Sequence, residues 1–421
     1  MGKARTILAI AAVGALASGA VSQTPAPASA ANAALIEQGR YLAVLGDCAS
    51  CHTRPGGQPF AGGLPLKTPF GAIYSANITP DKDTGMGGWS EADFYRAMHE
   101  GRDDQRHHLY PAMPYPYYTL VPRAEVDAIR AYLLSVKSVA YTPPANTLPF
   151  PLNIRWGLTF WNGLYLKEGD WRPSAGRSAA WNRGAYIVQG LGHCGACHTP
   201  KTLAMGDKRD DALQGGVIDN WFASDLNGDR RGGLGSWSAA DIVEFLKTGR
   251  NARSSASGSM SLVVQVSTSK MTDPDLAAIA VYLKSLPASK AANAASPATP
   301  VMAAGRAIYT DECAACHKAD GAGVPRFFPP LAGNANVQSS DPTTLDRFIL
   351  TGTQAAATDA RPTALSMPAF AWKLTNAQVA AVATYVRNSW GNAASPVSAD
   401  MVGGLRGKVA AHPIRKPPGR V

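Results

Sequence analysis

Three stretches of the chain carry apolar residues at intervals of three and four, the spacing that gathers them on one face of a helix. Arg123 to Val136 presents Val126, Ile129, Tyr132 and Leu133. Pro274 to Leu286 presents Leu276, Ile279, Tyr282 and Leu283, and Asn376 to Asn388 presents Val379, Val382, Tyr385 and Val386. Well upstream of each lies a shorter helical segment built around a glycine: Gly39-Arg40-Tyr41, Gly184-Ala185-Tyr186 and Gly305-Arg306-Ala307. A glycine there lets the bulky aromatic of the later helix approach the earlier backbone closely. The pattern predicts three repeats of two crossed helices each. Strand signals are sparse, limited to short pieces such as Gly71-Ala72-Ile73-Tyr74. The expected fold is mainly α with long loops.

The joints between repeats are also legible. Lys3 and Arg5 precede an apolar run from Ile7 to Ala20, and Ala28-Ser29-Ala30 offers a small-residue cleavage site. Residues 1–30 therefore read as an export signal, with an apolar core too short to span a bilayer comfortably. The first repeat is expected over 31–142. Residues 143–178 form a connection rich in proline and aromatics (Trp156, Phe160, Trp161, Tyr165, Trp171), too apolar for a plain linker and expected to pack between domains or against another subunit. The second repeat follows over 179–287, then a flexible Ala/Ser/Pro linker over 288–300. The third repeat covers 301–392. Residues 393–421 form a basic tail, with Arg406, Lys408, Arg415, Lys416 and Arg420, read as disordered.

At 46 % apolar and 17 % charged residues, the 421-residue chain has the composition of a folded protein. Its formal charge is +10, or +8 without Lys3 and Arg5. The basic residues are scattered and the leader implies export, so nucleic acid is not the expected partner. The charge suits an acidic partner or an anionic membrane surface.

The six cysteines supply the chemistry. They fall into Cys48-Ala-Ser-Cys51-His52, Cys194-Gly-Ala-Cys197-His198 and Cys313-Ala-Ala-Cys316-His317, each motif at the end of an upstream glycine segment. Cys-x-x-Cys-His is the attachment signature of c-type haem. Two thiols add to the haem vinyl groups and the adjacent His binds iron from the proximal side. Export alone would also suit disulfides, but a His directly after every pair argues for three covalent haems. The motifs lie 146 and 119 residues apart, which gives units small enough for a covalently held macrocycle to add substantially to each core.

Iron bound by His alone is open to oxygen or peroxide, whereas His and Met together close it and raise its potential. Met113 follows His52 by 61 residues, and Met367 follows His317 by 50; each is followed by a stiffening proline. Met260 follows His198 by 62 residues, after Gly258 and Ser259, and Met271 competes with it nearer the final helix. Met113, Met260 and Met367 are the preferred distal ligands, with Met271 read as packing at a helix start. His107 and His108 read as surface residues or partners of a propionate, and His193 is too close to Cys194 to reach the distal face. His99 and His412 complete the set. No nucleophile, phosphate loop or further metal cluster stands out, so no substrate-transforming site is expected.

The segments Gly184 to Pro200, Leu109 to Tyr115, Ser75 to Asp81, Gly235-Ser236-Trp237 to Arg250 and Ser389-Trp390-Gly391-Asn392 resemble the triheme cytochrome c subunits of bacterial membrane-bound dehydrogenases. That family serves alcohol, gluconate, sorbitol, fructose and glucose dehydrogenases, and related cytochromes serve molybdenum aldehyde dehydrogenases. The resemblance implies three tandem class I cytochrome c domains and no catalysis by the chain itself. It further implies electrons taken from a large catalytic subunit bearing flavin, PQQ or molybdenum, with a small third subunit as a further candidate partner. Ubiquinone would be the acceptor, and the location the periplasmic face of the cytoplasmic membrane, peripherally attached. Ser259 departs from the expected proline before the second Met, and the tail lacks an apolar anchoring helix. A free periplasmic shuttle is the alternative, disfavoured by the aromatic stretch. A peroxidase would require an open, high-spin iron.

Overall fold

The computed structural model describes residue 1, residues 28–289 and residues 296–410. The apolar leader from Ile7 to Ala20, residues 290–295 of the 288–300 linker, and His412, Arg415, Lys416 and Arg420 lie outside the described residues.

The first repeat runs α1 (Ala28–Leu45), α2 (Cys48–His52), the hairpin β1 (Pro65–Thr68) and β2 (Gly71–Tyr74), α3 (Glu91–Glu100), α4 (Tyr115–Tyr118) and α5 (Arg123–Ser135). α6 (Leu158–Tyr165) lies in the connection. The second repeat is α7 (Ala179–Gln189), α8 (Gly195–His198), the hairpin β3 (Gln214–Ile218) and β4 (Trp221–Asp225), α9 (Ala239–Thr248), α10 (Ser259–Val266) and α11 (Asp273–Lys284). The third is α12 (Thr299–Glu312), α13 (Ala314–His317), α14 (Ala335–Gln338), α15 (Thr343–Thr351), the short pair β5 (Thr353–Gln354) and β6 (Ser366–Met367), α16 (Asn376–Arg387) and α17 (Ala399–Ala410). All three sheets among the described residues are two-stranded and antiparallel.

In each repeat the first helix crosses the last where the glycine was expected to permit it. A Cβ on Gly39 would lie 1.8 Å from the Ala128 carbonyl oxygen, on Gly184 1.9 Å from that of Ala278, and on Gly305 2.2 Å from that of Ala381. The tyrosine four residues after each of those carbonyls (Tyr132, Tyr282, Tyr385) closes over the same spot. The apolar faces of α5, α11 and α16 point inward: Val126, Ile129, Leu133, Leu276, Val379 and Val382 are each at most 1 % exposed. Each such side chain stabilises the fold by about 1.5–3 kcal/mol through burial. Two helices that periodicity left unread, α3 and α9, begin at equivalent capping boxes, Ser90 with Asp93 and Ser238 with Asp241.

The first two repeats share one continuous core, whereas the third has its own. Their junction is pseudo-symmetric. Tyr41, two residues after Gly39, donates to Asp275 at 2.6 Å; Tyr186, two residues after Gly184, donates to Glu125. Asp275 and Glu125 directly precede the equivalent core residues Leu276 and Val126. Position i of one repeat thus meets position j of the other, and j meets i, as in an isologous dimer interface. Arg183 completes one side with a two-pronged bond to Asp275 at 2.7 and 2.9 Å.

The third repeat joins the second differently. Phe222 N–H donates to Thr344 Oγ1 and Thr344 Oγ1 donates back to the Phe222 carbonyl, both at 2.9 Å. Arg347 donates to the carbonyls of Asp219 and Asn220 and lies over the Trp221 ring. Glu244 pairs with both Arg326 and Arg361.

One expectation needs correction. The start of the tail is ordered: α17 packs on α15 and α16 through buried Val402 and Leu405, and Arg406 donates to Asn376, Ala371 and Leu374 at 2.6–2.7 Å. A short apolar i, i+3, i+7 series among basic residues was read by its charge alone. The aromatic connection only partly packs between repeats. Trp161 donates to the Ala204 carbonyl and Trp171 packs on Tyr186, but Trp156, Phe160 and Leu164 remain about two-thirds exposed, forming an apolar ledge. No described helix is long and apolar enough to cross a membrane.

Candidate functional site

Each Cys-x-x-Cys-His sits where the chain turns sharply out of its repeat's first helix. Asp47 bridges α1 and α2 in the left-handed region (φ 51°), and His193 does the same after α7 (φ 38°). In the third repeat Cys313 follows α12 directly and starts α13. The turn brings the two sulfurs and the imidazole of each motif onto one short helix. None of the six cysteines is in a disulfide. Burial pushes the thiols of Cys48, Cys194 and Cys313 up to about 12, so they stay protonated at neutral pH.

The three histidines share a second feature. His52 Nδ1 lies 2.7 Å from the Ala76 carbonyl oxygen, His198 Nδ1 2.7 Å from that of Ser224, and His317 Nδ1 3.0 Å from that of Pro329. A carbonyl only accepts, so the proton must be on Nδ1 and the lone pair on Nε2. Burial also holds all three imidazoles below their ordinary pKa, which keeps them neutral. A neutral imidazole oriented through Nδ1, with Nε2 available, is the arrangement metal-ligating histidines adopt. Unlinked thiols beside such an imidazole, three times over, fit covalently attached haem.

Sequence reasoning missed the three carbonyls. A backbone oxygen has no side-chain signature, and these lie 24, 26 and 12 residues from their histidines. The loop carrying Ala76 is fixed by Asn77, whose amide donates to the Val139 and Tyr141 carbonyls at 2.8 and 3.1 Å.

The methionines fall unevenly. Met113, half-buried just before α4, packs on the apolar cluster that also takes in Cys48. Met367, half-buried in β6, packs on the cluster that takes in Cys313. Met260 lies in the first turn of α10, after Gly258 at φ 58°, and packs on Ala256, Val264 and Ala356, apart from the cluster that holds Cys194. Met271 is 3 % exposed within that larger core, and its carbonyl accepts from Lys247 at 2.9 Å.

The other described histidines have structural partners. His108 is buried and bonds Thr159 Oγ1 at 2.9 Å, which corrects the surface reading for that residue, while His107 is exposed beside Asp103. His99 is buried against the Val121 carbonyl at 2.7 Å. His193 Nδ1 faces the Leu191 carbonyl at 3.1 Å.

Comparison with known proteins now adds to the geometry. The family model for cytochrome c matches residues 36–137 and 302–390; the second attachment motif lies between these stretches. Over 398 residues the chain is 43 % identical to the gluconate 2-dehydrogenase cytochrome c subunit of Pantoea cypripedii, covering 89 % of this chain and 90 % of that one. Over 399 residues it is 43 % identical to the alcohol dehydrogenase (quinone) cytochrome c subunit of Gluconacetobacter polyoxogenes, covering 90 % and 84 %. Over 426 residues it is 35 % identical to the fructose dehydrogenase cytochrome subunit of Gluconobacter japonicus, covering 93 % and 86 %.

Proposed function

This chain belongs to the family of the cytochrome c subunits of gluconate, alcohol and fructose dehydrogenases, and on that premise we propose that it is the electron-transfer subunit of a membrane-bound dehydrogenase complex. It carries electrons and performs no substrate chemistry itself; the catalytic site is on a larger partner subunit.

In this reading Cys48 and Cys51, Cys194 and Cys197, and Cys313 and Cys316 each hold one haem c by two thioethers. His52, His198 and His317 bind iron proximally, with Met113, Met260 and Met367 distally. The observation that carries the reading is the threefold repeat of an Nδ1–carbonyl bond beside paired thiols. A bound haem c supplies iron that cycles between ferric and ferrous. The residues hold that iron rigidly: the carbonyls fix each imidazole, and the glycine-mediated helix crossings fix the turns that carry the thiols. For the second site Met260 is favoured by its spacing and by the left-handed Gly258 that turns α10. Met271, enclosed by apolar neighbours, has the surroundings of a core filler.

Electrons enter from the catalytic partner and leave to ubiquinone at the periplasmic face of the cytoplasmic membrane, with a small third subunit as a further candidate member. The apolar ledge of Trp156, Phe160 and Leu164 supports membership of an assembly over a free shuttle, because so large an exposed patch needs a cover. The test is the haem content of the purified exported protein, read as pyridine haemochrome per chain and as masses of the peptides holding each motif. Three haems per chain, one on every Cys-x-x-Cys-His peptide, is the expected result; an unmodified second or third motif overturns the three-haem reading.

A further inference from the structure

The second attachment site takes one wall from the first repeat. Tyr117 of α4, four residues after Met113, lays its hydroxyl over Gly195, which lies between Cys194 and Cys197. A Cβ at Gly195 would come within 2.7 Å of that oxygen. The hydroxyl donates to Asp207, and Thr199, the residue after His198, sets its own Oγ1 3.1 Å from that same Cβ position. Asp207 also pairs with Lys201, whose ammonium lies 3.4 Å from the Gly195 carbonyl oxygen. A tyrosine from one repeat thus closes a polar network of the other, around the turn that bears the second motif.

Its neighbour Tyr118 reaches both turns. Tyr118 donates to the Gly46 carbonyl at 2.8 Å, two residues before Cys48, and its ring meets that of His193 edge-on at 5.5 Å. α4 is therefore a wedge between two attachment turns, with Tyr117 on the second and Tyr118 touching both. Simple packing between repeats needs only ring contact; it gives no reason for the Tyr117 hydroxyl to join a Lys–Asp pair beside the residue that follows His198. Hydrogen bonds and charges just outside a metal's ligands set its potential and hold the ligands in place.

We propose that Tyr117 is a positioning residue supplied by the first repeat to the second redox site, acting through its bond to Asp207, beside Thr199, on the turn that carries Cys197 and His198. The first two repeats are then a single redox body, since the second site is incomplete without the first repeat. This rests on the reading that Cys194, Cys197 and His198 hold a haem.

The experiment is a potentiometric titration of the full-length holoprotein, followed by haem absorbance, for the unaltered chain and for Tyr117→Phe, Asp207→Asn and Thr199→Val. Tyr117→Phe keeps the ring over Gly195 and removes only the hydroxyl. It is expected to move one of the one-electron steps by about tenfold in its equilibrium, about 59 mV, and to leave the others in place. Asp207→Asn and Thr199→Val are expected to move the same step. Hydrogen exchange supplies a readout independent of the haem: peptides covering 194–208 should exchange faster in Tyr117→Phe, and those covering 313–331 should not change. A Tyr117→Phe protein with all steps in place, or with a shift in a step that Asp207→Asn and Thr199→Val leave alone, overturns the proposal. An absence of haem on the Cys194–Cys197 peptide is a separate result: it removes the underlying reading, and the proposal with it.

Discussion

Replacing Gly184 by alanine sets two effects of opposite sign against each other. In a free helix, alanine is favoured over glycine by about 0.8–1.0 kcal/mol. At the crossing of α7 and α11 the added Cβ would sit 1.9 Å from the Ala278 carbonyl oxygen and 2.9 Å from Tyr282 Cβ. Restoring an ordinary contact requires the helices to part by roughly 1.5 Å. The obstacle is backbone in mid-helix, so no side chain can rotate out of the way. Parting the helices also loosens Ile187 and Leu276, both at most 1 % exposed in the core beneath. Overpacking typically costs about 1–3 kcal/mol, and a rigid obstacle places this case at the upper end. Even after the propensity gain, Gly184→Ala should be destabilised by about 1–2 kcal/mol. Gly404 in α17 is the control, because a Cβ there meets nothing within 4 Å; Gly404→Ala should gain up to about 1 kcal/mol. The assay is the urea unfolding midpoint of each holoprotein, followed by far-ultraviolet circular dichroism. A Gly184→Ala protein as stable as the unaltered chain would refute the close-crossing argument.

Two further predictions concern the third repeat and the second distal ligand. Burial raises the Asp346 carboxyl to about 7, only partly opposed by the charge of Arg387, and Asp346 Oδ1 has no hydrogen-bond partner. Its folded pKa lies above the unfolded value, so its contribution is complete at acid pH and is lost as pH rises from about 4 through about 7. Asp346→Asn should flatten the unfolding midpoint across that window, and an unchanged slope would count against the assignment. Met260→Leu should convert one low-spin iron to high spin in the absorption spectrum, while Met271→Leu should leave every iron low-spin and cost less than about 1.5 kcal/mol of stability. The reverse pattern would move the ligand to Met271.

Much of the scaffold was legible because it depends on local spacing. The faces of α5, α11 and α16, the glycines facing them and the three attachment motifs are each defined by residues a few positions apart. What stayed hidden depends on partners distant in sequence. His52 is fixed by Ala76, His198 by Ser224 and His317 by Pro329, in each case through a main-chain oxygen that any residue supplies. The helix α17 was obscured for another reason: its basic residues were taken as solvated, but Arg406 spends its charge on two carbonyls and an amide of the adjoining chain. His108 looked like one of an exposed pair, yet α6, with no signal of its own placement, covers it through Thr159.

The repeats share a scaffold but not their surfaces, and a handful of positions decides which repeats can pair. Tyr41 and Tyr186 stand two residues after their crossing glycines, and each bonds a carboxylate directly before the other's first core residue. The equivalent positions of the third repeat are Ala307, two after Gly305, and Gln378, before Val379. Neither the phenol nor the carboxylate is present, so a third copy cannot enter the same isologous contact. Burial follows that division. Ala49 and Gly195 of the first two attachment motifs are buried, whereas the equivalent Ala314 is half-buried, and Cys316 is exposed where Cys51 and Cys197 are half-buried. A hydrogen bond of this kind is worth only about 1 kcal/mol, but the two links act at both ends of one interface, and the shared core beneath them buries far more. The Tyr–carboxylate links therefore specify the pairing, and the apolar cluster stabilises it. Three attachment motifs in one chain thus describe a closed pair and a differently mounted third unit, a division set by residues outside the motifs.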